Sequence, residues 1–242
     1  MIEEDFKINT NDNHIIYGTL NSKNQTIENQ KNNKLIIFVH GLSGNQHEHQ
    51  YFNAIDYFTP FGFDTFRFDL YSNADKARQT TEISISIHAD DINTVIETFS
   101  NKYKELYLIG HSLGCLAIMK AKTKNIKKII HWDPSAGINN LKDKNITYNK
   151  QTKLYTRHMG LEILFSEKLI TEFKQAYNLK EFAKNVTKNS QFIFAELAKK
   201  YVHWNEHIKD FNSYTIKNAD HRFTKENNLK QLYDKTLEYL NN

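Results

Sequence analysis

The stretch LYLIGHSLGCLAIMK, residues 106–120, carries the strongest structural signal in this chain. Its first four residues form an apolar run of the kind found in buried strands, and the residues from Leu113 onward read as a buried helix. Gly110 and Gly114 flank Ser112 in the pattern Gly-x-Ser-x-Gly. A sharp strand-to-helix turn needs glycines there, because side chains would collide across it. The stretch therefore predicts a serine hydroxyl presented at a sheet edge, above a helix N-terminus.

Short apolar runs alternate with helix-like segments on both sides of this turn. Alternation of this kind is typical of an α/β fold, a mostly parallel central sheet flanked by helices. The polar stretch 21–34 predicts a loop, and the first 20 residues predict an antiparallel hairpin at the sheet edge. The predicted strands are 35–39, 63–68, 106–109, 129–132, 192–195 and 214–216, and the predicted helices are roughly 48–59, 86–101, 113–124, 166–186, 196–210 and 225–240.

The chain has 242 residues, a length that fits a single domain over 1–242. Segment 138–190 interrupts the alternation and is too long for one crossover helix. It contains amphipathic pieces at 161–165 and 169–177. We predict that it forms a small helical cap over the carboxyl edge of the sheet, where open α/β folds bind ligands. The alternative is a long crossover without a role in substrate binding.

Composition argues against nucleic-acid-binding, membrane-spanning and disulfide-rich proteins. The chain is 39% hydrophobic and 25% charged with a net charge of +4, and its charges are interleaved, so we expect a globular protein that binds no nucleic acid. No apolar run approaches about 20 residues, so no integral membrane segment is expected. The single cysteine, Cys115, excludes an intramolecular disulfide. With no visible signal peptide, a cytoplasmic location is expected. The sequence indicates no oligomeric state.

The sequence VHGLSGN, residues 39–45, directly follows the first predicted parallel strand. Together with the serine turn, it resembles the oxyanion loop and nucleophile turn of the α/β-hydrolase fold, and the resemblance covers most of the chain. It implies that Ser112 is the nucleophile. It also implies that the backbone N–H groups of Leu42 and Leu113 bind the oxyanion. Removing one such donor typically raises the activation free energy by about 3 kcal/mol.

The resemblance also assigns roles to the neighbours of these residues. Gly41 and His111 are expected to contact the substrate. His40 is expected to support the loop without taking part in the chemistry. Independently of the resemblance, His47 and His49 could be paired metal ligands, but we expect them at the mouth of the site, after this loop.

The sequence ADHRFT, residues 219–224, lies between the last predicted strand and the last predicted helix. This is where the hydrolases that the chain resembles carry their catalytic histidine. A serine hydroxyl is a poor nucleophile at neutral pH and needs an imidazole to take its proton. We predict that His221 is this base and that Asp220 is a turn residue.

Two residues are candidates for the acid that orients His221. Many relatives carry a Gly-x-x-Asp turn after the penultimate strand, but this chain has AELAK there, at 195–199. Asp133 ends the preceding strand in an Asp-Pro turn, as the acid does in some lipases and esterases, and we predict that it orients His221. Glu196 is the alternative. Both keep the chain order serine, acid, histidine.

The resemblance implies a serine hydrolase that cleaves a small carboxylic ester through an acyl-enzyme, with no cofactor and no metal. A thioesterase or acyltransferase on the same fold is one alternative, and a binding protein that has lost the chemistry is another. A third comes from HWNEH, residues 203–207, which matches a zinc-protease pattern. On a helix, His203 and His207 would share one face, with Glu206 between them, although the sequence offers no obvious third ligand.

Overall fold

A computed structural model describes residues 1–23, 34–142, 145–158 and 160–242. The strands in these ranges are β1 (Ile2–Asn9), β2 (Ile15–Ser22), β3 (Lys34–Val39), β4 (Phe63–Phe68), β5 (Glu105–His111), β6 (Lys128–Trp132), β7 (Ile146–Asn149), β8 (Leu154–His158), β9 (Glu162–Ser166), β10 (Ser190–Ala195) and β11 (Asn212–Ile216). The α-helices are α1 (His49–Phe58), α2 (Ile85–Ser100), α3 (Leu113–Lys120), α4 (Glu167–Ala176), α5 (Leu179–Ala183), α6 (Tyr201–Trp204) and α7 (Glu226–Asn241).

The described strands form a large sheet in the order β1-β2-β4-β3-β5-β6-β10-β11. Its pairs from β4 to β11 are parallel, whereas β1 and β2 form an antiparallel hairpin that joins the sheet through β4. The predicted mostly parallel sheet flanked by helices is therefore confirmed. Every predicted strand is present, with its ends moved by at most two residues.

Two apolar clusters cover the two faces of this sheet. In β3, Leu35, Ile37 and Val39 belong to the cluster under α2 and α3. Ile36 and Phe38 belong to the cluster under α1 and α7. A strand that is buried on both faces has no polar position, which is why this segment reads as an unbroken apolar run.

The insertion between β6 and β10 is not the small helical cap that the sequence predicted. Its first part is a three-stranded antiparallel sheet in the order β7-β8-β9, which we call the cap sheet, and α4 and α5 follow it. The segment 161–165 lies mostly in β9, where Ile163 and Phe165 are more buried than Glu162 and Leu164. This alternation has the period of a strand and not of a helix. Whether 138–190 acts as a cap stays a prediction.

Several predicted helices are shorter than the sequence indicated. The helix expected over 166–186 is divided into α4 and α5. The helix expected over 196–210 is a 3₁₀ turn at Glu196–Ala198 and the single turn α6, separated by Lys199 in a left-handed conformation. Residues 24–33 of the predicted loop lie outside the described residues. In the described part of the chain, no helix has the length and hydropathy to cross a membrane.

The end of β3 packs directly against the start of α3, and the glycines of the serine turn make this possible. A Cβ on Gly114 would lie 2.5 Å from the carbonyl oxygen of Val39 and 2.7 Å from that of His40. A Cβ on Gly110 would lie 2.7 Å from Cδ1 of Ile118. The backbone of the loop after β3 is thereby held next to Ser112.

Replacing Gly114 tests this packing. An alanine in a helix normally stabilises it relative to glycine by about 1 kcal/mol. We expect the opposite sign for Gly114→Ala, a loss of about 3 kcal/mol in the free energy of unfolding, because the added methyl group meets backbone atoms that cannot move aside.

Urea denaturation measures this difference. Gly160→Ala is the control, because its Cβ would meet no atom of the described residues within 4 Å, and its left-handed backbone opposes alanine by about 1–2 kcal/mol. A stabilised Gly114→Ala protein would contradict the close approach of β3 and α3.

Candidate active site

Ser112 sits at the turn between β5 and α3 in a conformation that is rare for a residue with a side chain. Its φ and ψ angles are 54° and −114°. The backbone around it is fixed, because its N–H donates to the carbonyl of Trp132 at 3.1 Å and its carbonyl accepts from the N–H of Ser135 at 3.1 Å. Strained backbone of this kind persists only where neighbours over-determine it, and it is common at active sites.

The ring of His221 bridges Ser112 and Asp133. His221 lies in the loop between β11 and α7, and its Nε2 is 3.0 Å from the hydroxyl oxygen of Ser112. Its Nδ1 is 2.5 Å from Oδ2 of Asp133. An ionised carboxylate can only accept, so the proton of a neutral ring is on Nδ1 and Nε2 is left to accept from the serine hydroxyl. The arrangement can draw a proton from Ser112.

Asp133 is completely buried, and both of its carboxylate oxygens have partners. Oδ1 accepts from the backbone N–H of Ala195 at 3.0 Å, and Oδ2 faces His221. Its own N–H donates to the carbonyl of Ile193 at 2.7 Å. The carboxylate is therefore fixed between the ends of β6 and β10 before any substrate binds.

His111 contacts both the backbone and the ring of His221. Its Nε2 donates to the carbonyl oxygen of His221 at 2.7 Å, and the two rings lie 4.6 Å apart. Burial lowers the pKa of His111 well below its usual value, so the ring is neutral at neutral pH. The neighbouring Asp220 is a turn residue, since its carboxylate accepts from the N–H groups of Arg222 and Thr224.

The loop after β3 brings Gly41 and Leu42 next to the nucleophile. A Cβ on Gly41 would lie 2.9 Å from Cβ of Ser112, so only glycine leaves this space open. Leu113 is the first residue of α3, and the N–H of a first helical residue has no partner within the helix. The two residues predicted to donate to an oxyanion, Leu42 and Leu113, thus flank Ser112.

Buried side chains hold this loop from behind. His40 donates from Nδ1 to the carbonyl of Gly41 at 2.8 Å and accepts at Nε2 from the N–H of Leu70 at 2.9 Å. Burial lowers the pKa of His40, in keeping with a neutral ring. The hydroxyl of Tyr71 accepts from the N–H of Ser43 at 2.6 Å. Sequence reasoning identified His40 as a support and missed Tyr71.

Glu196, the alternative acid, is not brought to His221. Its Oε2 accepts from the backbone N–H of Asn218 at 2.8 Å, which ties the end of β10 to the turn after β11. Of the two candidates, Asp133 is therefore the one whose carboxylate contacts the His221 ring.

The zinc interpretation fails on local structure. Helix α6 ends at Trp204, so Glu206 and His207 lie beyond it and His203 shares no helical face with His207. Among the residues that the structure describes, no group of three or more His, Cys, Asp or Glu side chains could hold a metal ion.

A pocket that is open to solvent adjoins Ser112 and His221. Gly41 and His111, for which substrate contact was predicted, are among its lining residues. His47 and His49, which were predicted at its mouth, are not among the described lining residues, whereas Glu48 is. Five of the six large apolar residues in its described lining come from the insertion after β6. The apolar lining residues are Leu42, Ile138, Ile146, Phe165, Ile170 and Phe173, and the charged ones besides Glu48 are Arg157, Lys200 and Arg222.

Sequence reasoning missed all four charged residues of this pocket. Arg222 directly follows the predicted base, and Glu48 lies within a segment already placed near the site, so proximity in sequence is a signal for both. Arg157 carried no such signal, because its position depends on the pairing of the cap sheet. The position of Lys200 in the pocket likewise depends on the path of the chain between β10 and β11.

Asparagine and glutamine substitutions separate the two candidate acids. We expect Asp133→Asn to lower kcat/KM for a p-nitrophenyl ester by about 10³–10⁴-fold, because the amide stabilises neither the required ring tautomer nor the imidazolium. We expect Glu196→Gln to lower it by less than about threefold, within the range that surface substitutions produce. Steady-state kinetics on both variants measures the contrast, and the reverse ranking would exclude Asp133 as the orienting acid.

Comparison with known proteins supports the architecture. Residues 30–210 match the family model of the serine aminopeptidases S33. A search of curated proteins found no match. Among solved structures, Est1E from Butyrivibrio proteoclasticus, with ferulic acid bound, is 16% identical over 97% of each chain with a TM-score of 0.78.

Two further solved structures have the same fold. The α/β hydrolase GrgF from Penicillium is 12% identical, with 99% of this chain and 98% of that chain covered and a TM-score of 0.75. The esterase Pf2001 from Pyrococcus furiosus is 15% identical, with 99% and 92% covered and a TM-score of 0.68. At these identities the likeness shows the fold, and the family model matches most of the sequence. The chain therefore belongs to the S33 serine aminopeptidase family of α/β-hydrolases.

Proposed function

We propose that this hydrolase is a serine esterase that cleaves a carboxylic ester of a small molecule. The observation that carries the proposal is the hydrogen-bonded series from Ser112 through His221 to Asp133, which opens on a largely apolar pocket. An activated hydroxyl beside a pocket of this kind suits acyl transfer. The esterases among the structural neighbours agree with it.

In the first half of the reaction, the Ser112 oxygen attacks the ester carbonyl while Nε2 of His221 takes the hydroxyl proton. The carbonyl oxygen becomes an oxyanion, which the N–H groups of Leu42 and Leu113 stabilise. When the tetrahedral intermediate collapses, the bond to the alcohol oxygen breaks and His221 gives its proton to that oxygen. The products are a free alcohol and an acyl group on Ser112.

In the second half, water enters where the alcohol left. His221 takes a proton from the water, and the hydroxide attacks the acyl carbonyl. Collapse of the second intermediate breaks the bond to Ser112, and the proton on His221 returns to the serine oxygen. Throughout, Asp133 holds the His221 ring through its contact with Nδ1.

The charges of the pocket favour an ester over an aminopeptidase substrate. An aminopeptidase must bind the protonated amino terminus of a peptide, which needs a free carboxylate near the serine. Glu48 is the one acidic residue in the described lining of the pocket, and it lies 3.9 Å from the guanidinium of Arg222. Burial also raises the pKa of Glu48, which weakens it as an anion. No feature of the described residues favours a thioester or an acceptor other than water over an ester.

Substrate kinetics tests the proposal. We expect the wild-type chain to hydrolyse p-nitrophenyl butyrate, and alanyl p-nitroanilide at least about 10²-fold more slowly, since an amine near the pocket cations is repelled. Ser112→Ala is expected to lower kcat/KM for the ester by at least about 10³-fold, because it removes the nucleophile.

Ser100→Ala is the control, because Ser100 is exposed at the end of α2, and we expect it to keep the wild-type rate. A folded wild-type protein that hydrolyses neither compound would favour the binding-protein alternative. A preference for the anilide would favour an aminopeptidase.

A further inference from the structure

Among the described residues of the cap sheet, Arg157 is the charged one on the face that is turned to the pocket. It lies on β8, directly opposite Ile146 on β7 and Ile163 on β9. Residues that pair across antiparallel strands share a face, as do residues two apart along a strand. By this rule Tyr155 and Phe165 belong to the same face as Arg157. Ile146, Phe165 and Arg157 all line the pocket that adjoins Ser112.

The side chain of Arg157 is half-buried. Its Nε is shielded from solvent and has no hydrogen-bond partner among the described residues. Burial lowers the pKa of Arg157, and no described carboxylate counteracts this effect. A guanidinium nevertheless stays protonated at neutral pH. Covering a charged donor without a partner is unfavourable, so an anion placed beside it gains a strong interaction.

The other charges of the pocket add to this preference. Lys200 and Arg222 line the same pocket, and Glu48 is the one carboxylate in its described lining. Glu48 lies 3.9 Å from the guanidinium of Arg222, so its charge faces Arg222. Asp133 is buried behind His221 and is not part of the lining. A cleft with cationic groups and apolar walls concentrates anionic ligands.

We propose that the substrate carries a carboxylate besides its ester group, as in the half-ester of a dicarboxylic acid, and that Arg157 binds this carboxylate. The inference rests on the proposed ester hydrolysis for the nature of the reacting group. A planar guanidinium can offer Nε–H and an Nη–H side by side, which matches the two oxygens of a carboxylate. The apolar residues between the two polar ends contact the chain that joins them.

Binding to the Ser112→Ala protein tests the inference without requiring turnover. The probes are the monomethyl and dimethyl esters of succinic, adipic and suberic acid, compared pairwise by isothermal titration calorimetry at pH 7.5. For the chain length that fits best, we expect the monomethyl ester to bind at least about tenfold more tightly, as a hydrogen bond between charged groups provides. Adding Arg157→Met or Arg157→Gln is expected to reduce the preference to less than about twofold.

Lys150→Gln is the matched control, since it removes one positive charge from the exposed turn between β7 and β8, away from the pocket. It is expected to keep the preference. Thermal unfolding of the two Arg157 variants checks that they fold. One folded variant is enough to test the role of Arg157.

Three results would overturn the inference: equal binding of both esters at every chain length, a preference that persists without Arg157, or a preference lost equally in Lys150→Gln. A phosphonate analogue of the half-ester that binds tenfold more tightly than the half-ester itself would overturn the choice of a carboxylate. If the half-ester binds through Arg157 but wild-type enzyme hydrolyses no ester, the proposed function fails while the anion site stands.

Discussion

The buried carboxylate of Asp133 couples the fold to the site more tightly than any other group. A carboxylate without solvent contact is tolerated only when its oxygens accept hydrogen bonds, and here Ala195 and His221 provide them. The first partner requires that β6 and β10 are neighbours in register. The second requires that the loop after β11 folds back over the same sheet edge. The order of the strands and the position of His221 therefore depend on each other.

This arrangement also explains the unusual end of β10. The usual acid of many relatives would follow this strand, but here Ala195 supplies an N–H to an acid on the neighbouring strand. Glu196 then serves a different purpose, because it accepts from Asn218 and braces the turn that precedes His221. The end of β10 thus carries no acid for His221, and Asp133 at the end of β6 contacts the histidine ring instead.

Features that a short continuous stretch of sequence encodes were predicted correctly, whereas features that depend on contacts between distant segments were not predicted from the residues alone. The turn around Ser112 and the apolar run of β3 are local patterns, and the structure has both where they were predicted. Choosing between Asp133 and Glu196 from sequence rested on resemblance, because the contact with His221 depends on pairing between β6 and β10.

The cap sheet was missed for a related reason. Its strands are only four or five residues long, and of the three only β9 alternates between exposed and more buried residues. Such a pattern is too brief to separate a strand from an amphipathic helix. The position of Arg157 in the pocket follows from that sheet, so it too was out of reach. The placement of Arg157 and Lys200 in the pocket thus depends on tertiary structure, whereas one continuous motif identifies the nucleophile.

An activated Ser112 reacts with a fluorophosphonate probe, and intact-mass spectrometry measures this reaction directly. We expect wild-type protein to gain the mass of one phosphonyl adduct, and peptide mapping to locate the adduct on Ser112. We expect no adduct on the Ser112→Ala protein. A folded wild-type chain that stays unlabelled, or an adduct that persists in Ser112→Ala, would contradict the role of Ser112 as an activated nucleophile.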